Sequence, residues 1–384
     1  METQKSPAGE SGGASGGPVG ALQCATDTGR LERRAGVGKV EEPRAVCADH
    51  APNLRSGELV CQAKLSCCVP LLALLLLLAL PEFAVAQGLP PLRPINPVAA
   101  SRSGVSFEPY RAPRPGRWVA DVSLEYASTI EYNVLPEATF LLDSELLRVR
   151  AAVSRDLSPK AFVLAEAELL GVYAGIFDGT LEWYHDLLGI AIPERERRPR
   201  NDFLYATDLA GRGPLLREPG DLFFGDVRLG VGLRVGPRLQ SLVALTLPTN
   251  TGPAGYGRGE ISASLLNTAR LPLTERLVVE GSLSGGYTPS HGPLAGWQRE
   301  LFLAGSSGLR WRFWGRQSLY GNLFLHSPYY HDTALPALDR RDFAFDFGWI
   351  LAGTGGRELR VGMTEDLEPG GPAIDLVFRM GGRL

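Results

Sequence analysis

Apolar and polar residues alternate with a period of two through most of residues 117–384. At the start of this region, Trp118, Val122 and Leu124 share one face, whereas Asp121 and Glu125 share the other. This alternation predicts β-strands with one apolar face and one charged face. Twelve segments have the pattern: 117–128, 137–156, 160–172, 222–235, 238–248, 259–270, 275–287, 299–313, 316–326, 342–352, 357–366 and 372–384.

Residues 177–203, FDGTLEWYHDLLGIAIPERERRPRNDF, interrupt the alternation and predict a short helix followed by an arginine-rich turn. They belong to the longest connection between the predicted strands, residues 173–221. Residues 202–208 have a weak strand pattern, but the prolines and glycines on either side place them in the same loop. We expect the helix to fold into the mouth of the space that the strands enclose. The arginines of the turn would then meet Glu166 and Glu168.

The connections between predicted strands alternate between short and long. Short ones include 157–159, 236–237 and 354–356, and most of the others, such as 129–136 and 288–298, are longer. Short turns at one end and long loops at the other are typical of an outer-membrane β-barrel. An even number of strands places both chain termini at the end with the short turns, which in such proteins faces the periplasm.

Aromatic residues on the apolar face fall into two groups by height. Trp118, Trp311 and Trp349 lie at the short-turn end, and Tyr126, Phe223, Tyr287 and Phe343 lie at the other. Two aromatic girdles predict a membrane barrel, although a periplasmic β-sandwich or lipocalin-like barrel would also show the alternation. The predicted fold is all-β, an antiparallel transmembrane β-barrel of about 12 strands (roughly 10 to 14), with one short helix in a long outer loop.

The N-terminal quarter differs from the barrel region. Residues 1–58 lack an apolar period, which predicts disorder. Residues 59–86 predict a secretory signal peptide, with an apolar run at 69–80 and a small-residue cleavage site before Gln87. The run is shorter than the roughly 20 residues of a membrane anchor. Because a signal peptide is read from a free N-terminus, we expect translation to begin near Leu59, leaving residues 1–58 unmade.

The mature chain that this cleavage would leave contains no cysteine, because all five cysteines precede Gln87. Disulfides and thiolate metal sites are therefore excluded from the mature chain. The formal net charge is −3, and no basic run among the strands indicates a nucleic-acid partner. The Pro-rich residues 87–116 predict an extended lead-in on the periplasmic side.

The inward faces of the predicted strands carry charges of both signs. They are Asp121, Glu125, Arg148, Arg150, Glu166, Glu168, Asp226, Arg228, Asp346, Arg360, Asp375 and Arg379. A selective pore tends to be lined by one sign. The mixture favours internal ion pairs between strands, with a selectivity lining as the alternative.

Three other groups contain residue types that are found in metal sites or hydrolases. Glu182, His185 and Asp186 lie close together on the predicted helix and have ligand types that suit zinc or iron, but a helix with its polar face toward a charged lumen explains them better. His326 with residues 330–332, and Ser290 with His291, supply the residue types of a lipid hydrolase without a spacing that assembles one. Neither an enzyme nor a cofactor is predicted.

The arginine-rich turn, residues 194–200, includes Arg197, Arg198 and Arg200. Guanidinium groups bind phosphate oxygens in a bidentate manner, so lipopolysaccharide phosphates are one expected partner. Carboxylates at the barrel rim are an equal alternative.

Several short motifs resemble a bacterial family known as domain of unknown function 3187. They are PLRPINP at 91–97, Leu142-Asp143 with Glu145, YHDLLG at 184–189, RPRN at 198–201, and Glu365-Asp366-Leu367 with Asp375. This chain has Ser144 and Leu188 where the family often has Gly and Phe. The resemblance spans the mature chain and implies an outer-membrane-like barrel; it implies no activity.

The sequence thus predicts a passive pore or small-solute transport protein of the bacterial outer membrane, with a lumen restricted by a loop. A structural envelope barrel with a closed lumen and an outer-membrane lipid-modifying enzyme are the alternatives. The expected partners are outer-membrane lipid, lipopolysaccharide and the barrel-insertion machinery, which would recognise the apolar C-terminal strand; the oligomeric state stays open.

Overall fold

The computed structural model describes residues 88–384 except 115, 190–194, 196–197, 212–214 and 369–375, and for Leu188 it describes only the backbone. The predictions of disorder over 1–58 and of a signal peptide over 59–86 fall outside the described residues. So do the predicted lumen residue Asp375 and the predicted loop residue Arg197.

Twelve antiparallel strands close into a barrel, which confirms the predicted fold class and strand number. The order β1-β2-β3-β7 continues through β8 to β15, and β1 closes the ring by pairing with both β2 and β15. The barrel strands are β1 (Trp118–Val134), β2 (Ala138–Asp156), β3 (Ala161–Tyr173), β7 (Val227–Arg234), β8 (Leu239–Leu247), β9 (Ser262–Pro272), β10 (Leu277–Tyr287), β11 (Leu301–Trp314), β12 (Gln317–His326), β13 (Asp342–Ala352), β14 (Glu358–Asp366) and β15 (Leu376–Arg383).

The barrel is apolar outside and charged inside. In β7, for example, Leu229, Val231 and Leu233 are exposed, whereas Arg228 and Arg234 are buried. A soluble barrel would bury the leucines and expose the arginines, so this inverted pattern requires an apolar solvent around the wall. The barrel therefore spans a membrane.

The predicted aromatic girdles are present with one correction. At the short-turn end Trp118 and Trp311 are exposed, and at the long-loop end Tyr287 is exposed. The sequence also placed Phe223 on the outer face, but Phe223 is buried and Phe224 is exposed instead. The pairing of β3 with its neighbour shifts register between Leu170 and Val172, which reverses the faces there.

Three strands lie beyond the barrel wall at the long-loop end: β4 (Leu204–Leu209), β5 (Leu215–Leu216) and β6 (Gly220–Phe224). β4 pairs with residues 138–143 of β2, so the placement of residues 202–208 in a loop was wrong. The predicted loop 129–136 was also wrong, because β1 runs on to Val134. The extended β1 and β2 form a ribbon that projects past the membrane and offers β4 an edge to pair with.

The helices are few and short. They are α1 (Pro97–Arg102), α2 (Asp178–Leu188) and α3 (Pro336–Asp339), with 3-10 turns at Ala295–Trp297 and Thr354–Gly356. None of the helices among the described residues is long and apolar enough to cross a membrane.

The N-terminal segment, residues 88–111, lies inside the barrel. Its start and end lie at the short-turn end, where Tyr110 donates a hydrogen bond of 3.0 Å to the Gly236 carbonyl. Its middle, α1, lies at the long-loop end, where Arg102 donates to the Thr288 carbonyl at 2.7 Å. The segment thus runs up the lumen and back. The sequence predicted an extended backbone throughout, but α1 interrupts it, and the predicted placement on the periplasmic side was wrong. We call residues 88–111 the plug segment.

Candidate functional site: a plugged lumen

The backbone of the plug segment is hydrogen-bonded to polar side chains of the barrel wall. Glu280 accepts from the Leu89 amide at 2.8 Å, and Thr268 donates to the Glu108 carbonyl at 2.7 Å. Gln240 accepts from the Arg111 amide and donates to the Pro109 carbonyl, both at 2.8 Å. Because no described strand of the wall pairs with the segment, these side chains take over the role of ladder hydrogen bonds.

Arg93 fastens the plug segment to the wall and to itself. Its guanidinium donates to the Glu166 carboxylate of β3 at 3.2 and 3.1 Å. It also donates to Glu108 at 2.9 Å and to the Phe107 carbonyl at 2.5 Å, both in the returning half of the segment. Leu92 and Phe107 form an antiparallel bridge beside it. One buried cation therefore ties together both halves of the plug and one strand.

Glu166 is a carboxylate of the lumen that pairs with three arginines. Besides Arg93 it binds Arg150 of β2 at 2.9 Å and Arg228 of β7. Three cations on three elements thus converge on one anion, which is buried with them. Such a buried group is stable only while every charge keeps its partner.

Arg148 and Glu168, the other two predicted lumen residues of this region, occupy less central places. Arg148 is buried, pairs with Glu125, and donates to the carbonyls of Pro94 and Arg93 at 2.7 and 2.8 Å. Glu168 lies 3.8 Å from Arg148 and its side chain keeps 20% of its exposure. Arg148 therefore helps to hold the plug, and Glu168 is peripheral.

Apolar residues of the plug segment fill the spaces between these polar contacts. Leu89, Leu92 and Phe107 form a cluster with inward residues of β11 to β13. On the opposite side Val105 packs with Phe162 and neighbouring residues of β2, β3, β8 and β9. The segment therefore contacts the wall on both sides.

Two cavities of similar size lie at the two ends of the plug segment. The outer cavity, about 410 Å³, lies at the long-loop end beside α1. The inner cavity, about 400 Å³, lies at the short-turn end beside Tyr110. The two cavities beside the middle of the plug measure about 40 and 20 Å³, which is room for a few water molecules. The plug segment separates the two large cavities.

Helix α2 lies against the outside of the wall. The Phe177 ring contacts Tyr126 on the outward face of β1, with ring centroids 4.9 Å apart. Glu145, also outward, accepts from the amides of Ile176 and Phe177 at 2.9 and 2.6 Å. The predicted inward fold toward Glu166 and Glu168 was therefore wrong. The lumen is filled by the N-terminal segment instead.

The described residues of the arginine-rich turn lie along the outer rim. Arg198 pairs with Asp143 at 3.1 Å and Asp202 at 2.6 Å, and Arg200 pairs with Glu182. Arg195 pairs with Asp178, at the start of the helix, at 2.8 Å. Rim carboxylates, one of the two expected partners, therefore bind the arginines that the structure describes.

The possible metal ligands of α2 do not converge. Glu182 binds Arg200, Asp186 is exposed, and His185 is buried. Burial, with a smaller effect from Arg195, lowers the pKa of the His185 imidazole, which favours its neutral form. In the described part of the chain no group of three or more His, Cys, Asp and Glu side chains is placed to hold a metal ion.

The hydrolase candidates are likewise dispersed. The His326 ring stacks on Phe302 and on Tyr329, at centroid distances of 5.2 and 4.3 Å. His331 pairs with its neighbour Asp332, and His291 lies 3.5 Å from Glu260. Among the described residues none of these three imidazoles is hydrogen-bonded to a serine hydroxyl, so the arrangement needed to activate a serine is not assembled.

Comparisons with known proteins returned similar structures only. No family model and no curated protein matches this chain. An outer membrane channel of the COG4313 group from Pseudomonas putida F1 is 15% identical, covering 71% of this chain and 97% of that one, with a TM-score of 0.46. The CymD monoaromatic hydrocarbon channel is 11% identical over 75% and 91%, at 0.36. The NanC porin is 8% identical over 68% and 98%, at 0.39.

Proposed function

We propose that this protein is a channel for small solutes in a bacterial outer membrane, with a lumen that the plug segment closes at rest. The short turns would face the periplasm and the long loops the exterior, as in other barrels of this kind. The apolar outer face and the charged inner face support a membrane-spanning barrel with an interior compatible with water.

The polar attachment of the plug segment supports a channel over a purely structural barrel. Glu280, Thr268 and Gln240 hold the plug through side chains that water can also bind. If the plug segment moved out of the lumen, water would replace its backbone as the hydrogen-bond partner of these side chains. No buried polar group would then be left unpaired. In a permanently closed barrel, apolar side chains could fill the interior without polar groups that water can solvate.

The strand number supports the same conclusion. Eight strands leave an interior that side chains fill, whereas 16 to 18 leave an aqueous channel. Twelve strands leave a lumen wider than side chains alone can fill, and here a chain segment occupies the remainder. Displacing one peptide segment would therefore open a continuous path.

A disulfide between plug and wall is expected to hold the channel closed. A Cβ built on Gly104 lies 2.8 Å from Cβ of Ser264 on β9 and 2.3 Å from the Phe302 ring, so the segment and that ring must both shift to allow the ~3.8 Å of a disulfide. In planar bilayers, Gly104→Cys/Ser264→Cys should lack opening events when oxidised and should regain them with dithiothreitol. The variant is made in a chain that starts at Gln87, so that the two introduced cysteines are its only ones, because all five native cysteines precede residue 69.

The matched controls are the two single-cysteine variants, which should respond to neither oxidant nor reductant. Unlocked protein that never conducts, with or without a solute gradient, would contradict the channel and leave the structural barrel. Openings that persist with the disulfide formed, verified by mass spectrometry, would show that the path bypasses the plug.

We further propose that α2 lies in the outer leaflet and contacts lipopolysaccharide. Ile176, Trp183 and Leu187 are 75%, 63% and 68% exposed, whereas the charged Asp178 and Arg195 are buried toward the wall. Apolar residues outside and charged residues inside are also the pattern of the barrel wall that α2 contacts. The pattern suits a helix at a membrane interface. Arg200, exposed beside α2, is available to a lipid phosphate.

A label on this helix should therefore sense acyl chains. With Leu187→Cys carrying an environment-sensitive fluorophore, we expect strong quenching by lipids brominated near the headgroup. The control is Asp332→Cys at the same end of the barrel, where the native side chain is 91% exposed; it should be quenched weakly. Equal quenching at both positions would place α2 in water and contradict the lipid contact.

A further inference from the structure

The outer cavity is lined by more positive than negative groups. Arg102, Arg217 and Arg258 line it, and Asp226 is the single carboxylate among its lining residues. Arg102 belongs to the plug segment, and the others come from the long-loop end of the wall. The cavity therefore joins the mobile and fixed parts of the proposed channel.

Two of these guanidiniums are bound by neutral groups. Arg102 donates to the carbonyls of Pro289, Thr288 and Arg299 at 2.7, 2.7 and 2.8 Å. Neutral acceptors position a cation without cancelling its charge. Arg102 therefore contributes positive charge to the cavity, which the nearby Glu300 carboxylate offsets in part.

Arg217 is the second of them. It donates to the Thr207 hydroxyl at 3.2 Å and lies 4.2 Å from the centroid of the Tyr205 ring. No carboxylate pairs with it among the described residues. Its side chain is only half-buried, so it can approach a bound molecule.

The third guanidinium is partly compensated. Arg258 lies 3.8 Å from Asp226, whose carboxylate also accepts from the amides of Asn250 and Arg258. Burial is the main cause that lowers the pKa of Arg258, to about 9, so the group stays charged at neutral pH. The three cations and one anion leave the outer cavity with an excess of positive charge.

The charged side chains that line the inner cavity are positive, as most of those in the outer cavity are. Lys160, Arg234, Arg238 and Arg270 are its charged lining residues. Arg234 pairs with Asp156 at 2.5 Å, and Arg270 lies 3.5 Å from Glu280. Lys160 is exposed, and no described carboxylate forms an ion pair with it. Both ends of the proposed path are therefore positive.

The middle of the lumen differs from its ends. Arg93, Arg150 and Arg228 bind Glu166, and Arg93 also binds Glu108. Arg148 binds Glu125 and lies 3.8 Å from Glu168, so these four cations face four anions. Cavities lined by one sign of charge concentrate ions of the opposite sign. An excess of positive charge at the two openings attracts anions. Because the charges in the centre compensate each other, the anions are not trapped there.

The outer cavity also offers apolar surface. Its lining includes Tyr205, Tyr330, Leu215, Leu216 and Leu294, together with several prolines. Its volume of about 410 Å³ lies in the range of small-molecule sites. Cations beside aromatic and aliphatic groups suit a molecule with a carboxylate at one end and an apolar body at the other.

We propose that the outer cavity binds small organic carboxylates, held by Arg217, Arg102 and Arg258, and that these anions are the class of solute that the channel admits. The inference rests on the proposed channel function for its biological meaning. A bound carboxylate would touch Arg102, at the end of α1, and so contact the plug segment directly.

Binding to the purified, detergent-solubilised protein tests the site without requiring transport. Benzoate, benzamide and benzylamine have the same ring and carry a negative, no and a positive charge. By titration calorimetry we expect benzoate to bind at least about tenfold more tightly than the other two, the difference that one charge-assisted hydrogen bond makes.

The decisive variant is Arg217→Gln, which should lower benzoate affinity about tenfold and leave benzamide unchanged. Arg200→Gln removes the same charge from the same end but outside the cavity, and should have no effect. Equal binding of the three probes, no binding of benzoate, or equal losses in both variants would overturn the proposal. Selective benzoate binding by a protein that never conducts would uphold the site and refute the channel.

Discussion

Deleting residues 88–111 is expected to turn a barrel that opens rarely into one that conducts continuously. The deletion removes the plug segment and leaves the twelve strands with their wall-to-wall pairing intact. The remaining lumen is lined by arginine and carboxylate side chains that water can solvate, so it should fill with water rather than collapse. In planar bilayers we expect the mean conductance to rise at least about tenfold, toward that of small porins.

The matched control is deletion of residues 177–200, which removes a segment of similar length from the outer face of the wall. Because α2 contacts Tyr126 and Glu145 on that face, its loss should leave the conductance unchanged. Heat-modifiable migration on a gel would verify that both deletion variants fold. If deleting 177–200 opened the barrel and deleting 88–111 did not, the assignment of the plug would be wrong.

The sequence predicted a filler for the lumen but assigned it to the wrong segment. Residues 177–188 have the helical pattern of a compact filler, whereas the Pro-rich residues 87–116 read as a linker. The signal that could have identified the plug is that Leu89, Leu92 and Phe107 occur beside the charged Arg93 and Glu108. A solvated linker has little use for such large apolar residues, but a segment inside a charged barrel needs both kinds.

The strands of the wall were predictable because their two faces meet different solvents. A lipid-facing residue and a lumen-facing residue alternate at every step, so β8 to β14 are found within a few residues of their predicted limits. The predicted strand 222–235 is divided between β6 and β7. Beyond the membrane this contrast is lost. Residues 129–134 and 204–209 form strands through their pairing with β2, and the alternation in these two stretches is too weak to predict them.

The ion-pair partners in the lumen were only partly predictable. Cross-strand pairs such as Arg150 with Glu166 follow from inward positions on neighbouring strands. The pairing of Glu166 with Arg93 joins positions 73 residues apart, one of them outside the wall. The sequence therefore places charged residues in the lumen without showing which of them hold the plug.

Glu166 and Glu168 are neighbouring carboxylates on β3 in different environments. We therefore expect their substitution to have very different effects on the free energy of unfolding. Glu166→Gln leaves Arg93, Arg150 and Arg228 without their shared anion, and removing one partner from a buried ion pair typically costs about 3 to 5 kcal/mol. Glu168→Gln removes one partly exposed contact of 3.8 Å and should change the free energy of unfolding by about 1 kcal/mol or less. Urea titration in liposomes, read as the folded and unfolded bands on a gel, measures both.

The same anion also fastens the plug, so Glu166→Gln should raise the opening frequency in bilayers and Glu168→Gln should not. Equal loss of stability in the two variants would contradict the central role of Glu166. Combining Glu166→Gln with Arg93→Met separates repulsion from lost attraction. If uncompensated charge causes the instability, the double variant should be more stable than the sum of the two single effects allows, because it removes one of the three cations that lost their shared anion. Additive losses would instead show that Arg93 stabilises the plug independently, through its contacts with Glu108 and the Phe107 carbonyl.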